Sequence, residues 1–160
     1  MIFFKPKLNY LEIHLVDHCN LNCKSCSHYC PLVEEFEESY LNVDEFERDL
    51  SQLSKKIRLK RLRLLGGEPL LHPYVIDFLR IARNYFPKTN ISVLTNGILI
   101  PKMDKNFWSA VKSYNIKIDI SKYPPLSKKI GDYLDIIYEN DCEIGVISVV
   151  HGFVPFLNFA

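Results

Sequence analysis

The chain has 160 residues, enough for one domain with a proper core. Its 20 Lys and Arg nearly balance its 19 Asp and Glu, so no global field draws it to nucleic acid or to an anionic membrane. No apolar run approaches the roughly 20 residues needed to span a bilayer, and Met1-Ile-Phe-Phe-Lys5-Pro6 lacks the order of a secretory signal; the expected compartment is the reducing cytoplasm.

In chain order, the first strand is expected over Tyr10–Asp17. A loop carrying Cys19, Cys23 and Cys26 follows it directly, then Cys30 and the acidic stretch Glu34–Glu38, a solvated face. Asn42 with Glu45 three residues on reads as a capping pair for a first helix that buries Phe46, Leu50 and Leu53. The basic run Lys55–Arg61 reads as a solvated helix end plus strand entry, with cations where the macrodipole favours them. It has no aromatic interleaving of the kind that binds RNA. The second strand is Arg61–Leu65, followed by Gly66-Gly67-Glu68-Pro69. A second helix opens at Pro73, with Ile76, Leu79 and Ala82 on one face. The third strand, Asn90–Thr95, ends at Asn96-Gly97. A third helix spans Asp104–Tyr114 with Phe107, Trp108 and Val111. The fourth strand, Asn115–Ser121, is followed by a fourth helix over Leu126–Tyr138 with Ile130, Leu134 and Ile137. A fifth strand covers Glu143–Val150.

Strand–helix alternation with short connections predicts right-handed βαβ units and an α/β fold on a parallel sheet of about five strands. The chain is expected to form a single domain over residues 1–160. In such a sheet the working residues gather at the C-terminal strand ends. The cysteine loop, the Gly-Gly-Glu-Pro turn, Asn96-Gly97 and Ser121 all fall on that rim. Ionisable groups also intrude at alternate strand positions: Glu12 and His14 in the first strand, Arg63 in the second, Lys117 and Asp119 in the fourth. Ile116, Ile118 and Ile120 keep the opposite face apolar. One greasy and one polar face suit a curved sheet lining a wet lumen, although mutual pairing of these charges also accounts for them.

Cys19-Asn-Leu-Asn-Cys23-Lys-Ser-Cys26 is the most specific feature. In a reducing compartment such a cluster points to metal or catalysis rather than to disulfides. Three thiolates on one loop leave a coordination position open, since a closed zinc or iron–sulfur site takes four ligands. A zinc site completed by His18, His28 or Cys30 is the alternative reading. Cys142, far away in an apolar stretch, reads as a small buried hydrophobe.

The Cys-x3-Cys-x2-Cys loop after a first strand, with Gly-Gly-Glu-Pro one βα unit later and Thr95-Asn96-Gly97 after the third strand, resembles the radical S-adenosylmethionine (radical SAM) superfamily. The resemblance implies a partial (β/α) barrel of the TIM type. Cys19, Cys23 and Cys26 would ligate three irons of a [4Fe–4S] cluster, and the amino and carboxylate groups of S-adenosylmethionine would chelate the fourth iron. One electron from an external flavodoxin- or ferredoxin-like donor would then break a sulfonium C–S bond, and the resulting 5′-deoxyadenosyl radical would take hydrogen from an unknown substrate. Gly66, Gly67, Glu68, Thr95, Asn96 and Ser121 would help hold the cofactor. Glu68 would face the methionine ammonium, and Ser121 the ribose or carboxylate. Glu12, His14, Lys117 and Asp119 would face substrate in the lumen.

The chain departs from the family pattern in three places. Ser25 stands before the last cysteine, where an aromatic residue usually packs near the adenine; Tyr29 replaces it only if the loop curls back. The family core usually has six strands, and this chain stops at its fifth. The tail to Ala160 carries Phe153, Phe156 and Phe159, an apolar terminus that a partner chain or dimer would cover together with the fifth-strand edge. A truncated, inactive family member that binds a cluster or a partner is therefore the second expectation.

Overall fold

The structure, a computed structural model, describes residues 5–23, 26–33, 39–122, 129–148 and 157–158. Its centre is a five-stranded sheet of β1 (Leu11–His14), β2 (Arg61–Leu65), β3 (Asn90–Thr95), β4 (Ile116–Lys122) and β5 (Ile144–Ser148). The strands lie in that order, every neighbouring pair is parallel, and the described strands do not close into a ring. Between them run α1 (Val43–Lys56), α2 (Val75–Tyr85), α3 (Lys105–Ser113) and α4 (Ile130–Glu139). This is the expected partial barrel.

Strand parity decides which face the helices cover. Leu62, Leu64, Ile91, Val93, Ile116, Ile118 and Ile120 are all buried in one core with Phe46, Phe78, Phe107, Trp108 and Ile137 from the helices. The alternate residues, from Glu12 and Arg63 to Lys117 and Asp119, turn to the other side. Local chemistry sets the helix starts. Asn42 Oδ1 accepts the Asp44 and Glu45 amides at the head of α1, and Asp104 Oδ1 accepts the Phe107 amide at the head of α3. Each such cap contributes about 1 kcal/mol.

Most described boundaries fall within one residue of expectation, and two differ by more. β1 ends at His14 because the chain leaves the ladder there: Leu15 still donates to Leu65 O, but Val16 pairs antiparallel with Tyr40. α2 starts at Val75, not at Pro73, because His72 terminates a short 3-10 turn over Pro69–Leu71 and its Nδ1 accepts the Tyr74 amide. Its Nε2 donates to Leu41 O, so the ring is held as the neutral tautomer, and burial lowers its pKa in the same sense. The predicted start of α4 and the phenylalanines of the tail lie outside the described residues. Within the tail, Leu157–Asn158 pairs antiparallel with Asn22–Cys23.

Candidate functional site

The cysteine loop is docked onto the Gly-Gly-Glu turn by backbone alone. Gly67 N donates to Val16 O and Glu68 N to His18 O, both at 3.0 Å. The fit leaves no room for side chains. A Cβ on Gly66, whose φ is +151°, would lie 2.3 Å from Val16 O, and one on Gly67 would lie 1.8 Å from His18 O. Two glycines are what let the second strand end run against the first.

Glu68 sits beneath this contact and is completely buried. Its Oε1 accepts from Thr95 Oγ1 (2.7 Å) and Leu70 N (3.1 Å), and its Oε2 accepts from Asn96 N (2.9 Å). Burial pushes its pKa up to about 7 against the pull of those three donors. The carboxylate thus ties β2 to the end of β3. Thr95 Oγ1 also accepts from Gly97 N, which fixes the Thr-Asn-Gly turn.

Asn96 carries that turn to the cysteines. Its Oδ1 accepts from Ile98 N at 3.0 Å, the turn-forming role expected of Asn before Gly. Its Nδ2 donates to Asn20 Oδ1 at 2.7 Å and lies 3.7 Å from Cys19 Sγ. The sequence drew attention to Asn96 but not to Asn20, whose partner is 76 positions away.

Around these anchors Cys23 is buried, Cys19 and Cys26 are half-buried, and Leu21 and Ile98 pack among them. Burial, with the Glu68 carboxylate and the Cys23 and Cys26 sulfurs as neighbours, pushes the Cys19 thiol up to about 12. Burial and Cys26 raise Cys23 as well. Thiols crowded in this way keep their protons in water and release them when a cationic metal centre would bind the sulfurs. Among the described residues no three His, Cys, Asp or Glu side chains converge as ligands of a single ion. A four-iron cube holds its thiolates farther apart than one tetrahedral ion does, and three soft sulfurs on a partly closed loop fit the cube's donor chemistry.

The two histidine candidates for a zinc ligand have other neighbours. His18 is buried with its ring edge-on to Tyr40, and its Nδ1 lies 3.4 Å from Asp17 Oδ1. His28 meets His14 edge-on at 4.8 Å between ring centroids. Burial and the His28 ring lower the His14 pKa.

The polar sheet face forms a floor below the rim, with a cavity of about 230 Å³ lined by Tyr10, Arg63, Ser92, Lys117, Asp119 and Gly145 among others. Arg63 links Glu12 and Asp119 at 3.5 Å each, and Lys117 lies 3.6 Å from Asp119. These distances are long for charge-assisted bonds. Arg63 Nε is buried with no partner among the described residues, and the guanidinium stands 5.4 Å from the Tyr10 ring centre. The Tyr10 hydroxyl donates to Glu12, and burial followed by that bond pushes its pKa up to about 12. Glu12, Lys117 and Asp119 are therefore brought together, while His14 lies nearer the rim with His28. Ser121 is buried at the end of β4, where it pairs with Ile147 in the ladder, and its hydroxyl makes no hydrogen bond among the described residues.

No helix among the described residues is long and apolar enough to cross a membrane. The family described as the radical SAM superfamily matches residues 13–138. The chain is 33% identical over 119 residues to the GTP 3′,8-cyclase of Trichodesmium erythraeum, covering 70% of this chain and 35% of that protein. It is 31% identical over 131 residues to the GTP 3′,8-cyclase of Rippkaea orientalis, covering 79% of this chain and 39% of that one. It thus spans well under half the length of these relatives. Among solved structures, anSMEcpe with bound AdoMet superposes with a TM-score of 0.67 at 18% identity, over 91% of this chain and 44% of that one. BtrN in complex with AdoMet and 2-DOIA gives 0.64 at 18% identity, over 89% and 58%. Both likenesses are of fold.

Proposed function

The chain belongs to the radical SAM superfamily, and we propose that it forms the cluster- and cofactor-binding core of a radical enzyme. Cys19, Cys23 and Cys26 hold a [4Fe–4S] cluster whose fourth iron takes S-adenosylmethionine. The bound pair supplies a 5′-deoxyadenosyl radical on one-electron reduction, by a flavodoxin- or ferredoxin-like protein. The observation that carries this reading is the docking of the cysteine loop. Gly66 and Gly67 let it close against the second strand end, Glu68 and Thr95 brace the third, and Asn96 reaches Cys19 from there.

In this reading the chain's own residues bind, orient and exclude water. The backbone of Gly66–Glu68 lies against the cysteine loop, where a methionine amino group would approach. The Glu68 carboxylate acts mainly through the turn it braces, since its acceptors are already engaged. Ser121 offers a free hydroxyl at the rim to a ribose or carboxylate. The floor, with Glu12, Arg63, Lys117 and Asp119 in long pairings, faces substrate and can exchange those pairings for contacts to a charged ligand. GTP, named in the relatives' activity, is the first substrate to try.

Anaerobic reconstitution with iron and sulfide tests the reading. It should give a brown protein with about four irons per chain, which forms 5′-deoxyadenosine from S-adenosylmethionine and a reductant. A colourless protein carrying stoichiometric zinc would overturn the cluster, and a cluster without cleavage would overturn the enzyme.

A further inference from the structure

We propose that Cys30 is a fourth thiolate of the cluster pocket, holding the fourth iron until S-adenosylmethionine displaces it. The inference rests on the function proposed above and concerns a thiol for which the three-cysteine motif has no role.

The chain around Cys30 is built to bring it back to the other cysteines. Cys26 N donates to Cys23 O and Tyr29 N to Cys26 O, which holds Cys26 between Cys23 and Tyr29. Tyr29 then takes a left-handed conformation at φ 57°, uncommon for a side chain of its size. That reversal starts the short 3-10 turn Cys30–Leu32, which packs against the Asn22–Cys23 strand. Cys30 is only 6% exposed, its sulfur lies 4.0 Å from His28 O, and its thiol interacts with those of Cys26 and Cys19. Cys142 is the internal contrast. It is also buried, but its thiol donates to Asn140 O at 3.3 Å, and among the described residues its charged neighbours are Asp141 and Lys112 rather than a cysteine.

Three thiolates leave one iron open to water and oxidants. A fourth soft donor beside Cys26 is the ligand that iron prefers over water. The exchange balances without any redox change. The Fe–S bond to Cys30 breaks, bonds to the cofactor's amino nitrogen and carboxylate oxygen form, and the proton shed by the cofactor's ammonium passes to the Cys30 thiolate. The cofactor thus binds against a resident competitor, which protects the cluster while the cofactor is absent.

The test uses the full chain, reconstituted anaerobically as wild type, Cys30→Ala, Cys30→Ser and Cys142→Ala, with two readouts. One is the Kd for S-adenosylmethionine by equilibrium dialysis. The other is iron retained per chain after brief ferricyanide oxidation without cofactor. If Cys30 holds the iron nine-tenths of the time, the Cys30→Ala Kd falls about tenfold. The same variant loses roughly one iron per chain and shows the paramagnetic signal of a three-iron cluster, while Cys142→Ala behaves as wild type. Cys30→Ser keeps the packing volume and should also bind the cofactor more tightly. Equal Kd and equal iron retention in wild type and both Cys30 variants would overturn the inference while leaving the cluster reading intact. Failure of the wild type to take up iron would sink the cluster reading itself.

Discussion

Gly67→Ala should empty the cluster pocket without unfolding the sheet. The added Cβ would stand 1.8 Å from His18 O, so that carbonyl must retreat at least 1.2 Å to reach the 3.0 Å below which such contacts essentially never occur. The atoms in the way are backbone: His18 O, His18 C and Cys19 N, the last belonging to a proposed cluster ligand. Retreat breaks the bond from Glu68 N to His18 O and strains the one from Gly67 N to Val16 O. At about 1 kcal/mol for each net hydrogen bond, and more where a buried group is left unpaired, the cost is about 2–4 kcal/mol. That lowers Tm by about 5–15 °C for a chain of this size. Metal sites tolerate ligand errors of only about 0.2 Å, so a displacement this large should abolish iron uptake. The assay pairs thermal unfolding by circular dichroism with iron and sulfide content after reconstitution. Gly131→Ala is the matched control. It lies in α4 with nothing within 4 Å of the new methyl group, so it should stabilise by roughly half a kcal/mol and leave iron content unchanged. If Gly67→Ala binds as much iron as wild type at an unchanged Tm, the docking argument is wrong.

Three further outcomes follow from individual residues. Glu68 has a folded pKa of about 7, above its unfolded value near 4.5, so the folded state binds the extra proton between those limits. Its contribution to stability is therefore full below about pH 4.5 and is lost as pH rises through 7, by at most about 3 kcal/mol. Urea unfolding at pH 5 and pH 7.5 should show a smaller loss for Glu68→Gln than for wild type, and parallel losses would refute the assignment. Arg83 donates from Nε to Tyr114 O (2.6 Å), from Nη2 to Asn115 O (2.7 Å) and from Nη1 to Thr89 O (2.9 Å), joining the C-terminal ends of α2 and α3. Arg83→Met should cost about 2–4 kcal/mol in denaturant unfolding and Arg83→Lys somewhat less, because an ammonium cannot span the same fork. Asn96→Ala removes the bond to Asn20 and should leave the sheet folded. Amide hydrogen exchange should speed up at residues 19–23, whereas unchanged protection there would mean that the loop is held by the Gly67 contact alone.

The alternation of strands and helices was legible because burial on one sheet face imposes a two-residue period, and the isoleucines of β4 with Lys117 and Asp119 between them display it directly. The cysteine trio and the paired glycines were legible because few residue types can hold iron or permit so close a backbone approach. Other parts of the site carry no local signal. Asn20 is one polar loop residue among several until the fold brings Asn96 to it, and Arg83 reads as an ordinary helix-surface cation until the segments after α2 and α3 both present their carbonyls to it. Tyr133 likewise has the spacing of a partly polar helix face, yet it is buried over the Gly97 turn. The case of Glu68 is more instructive. A carboxylate at a strand end beside a cofactor loop invites a direct electrostatic role, but here Thr95 Oγ1, Leu70 N and Asn96 N engage it while burial raises its proton affinity. A charge meant to meet a cationic ligand would be better left half-solvated, since full burial disfavours the ionised form. Its position instead makes it the brace joining two strand ends to the cysteine loop. The residue type is therefore demanded by geometry at the rim, and in the function proposed above the cofactor would be held largely by the backbone that this brace keeps in place.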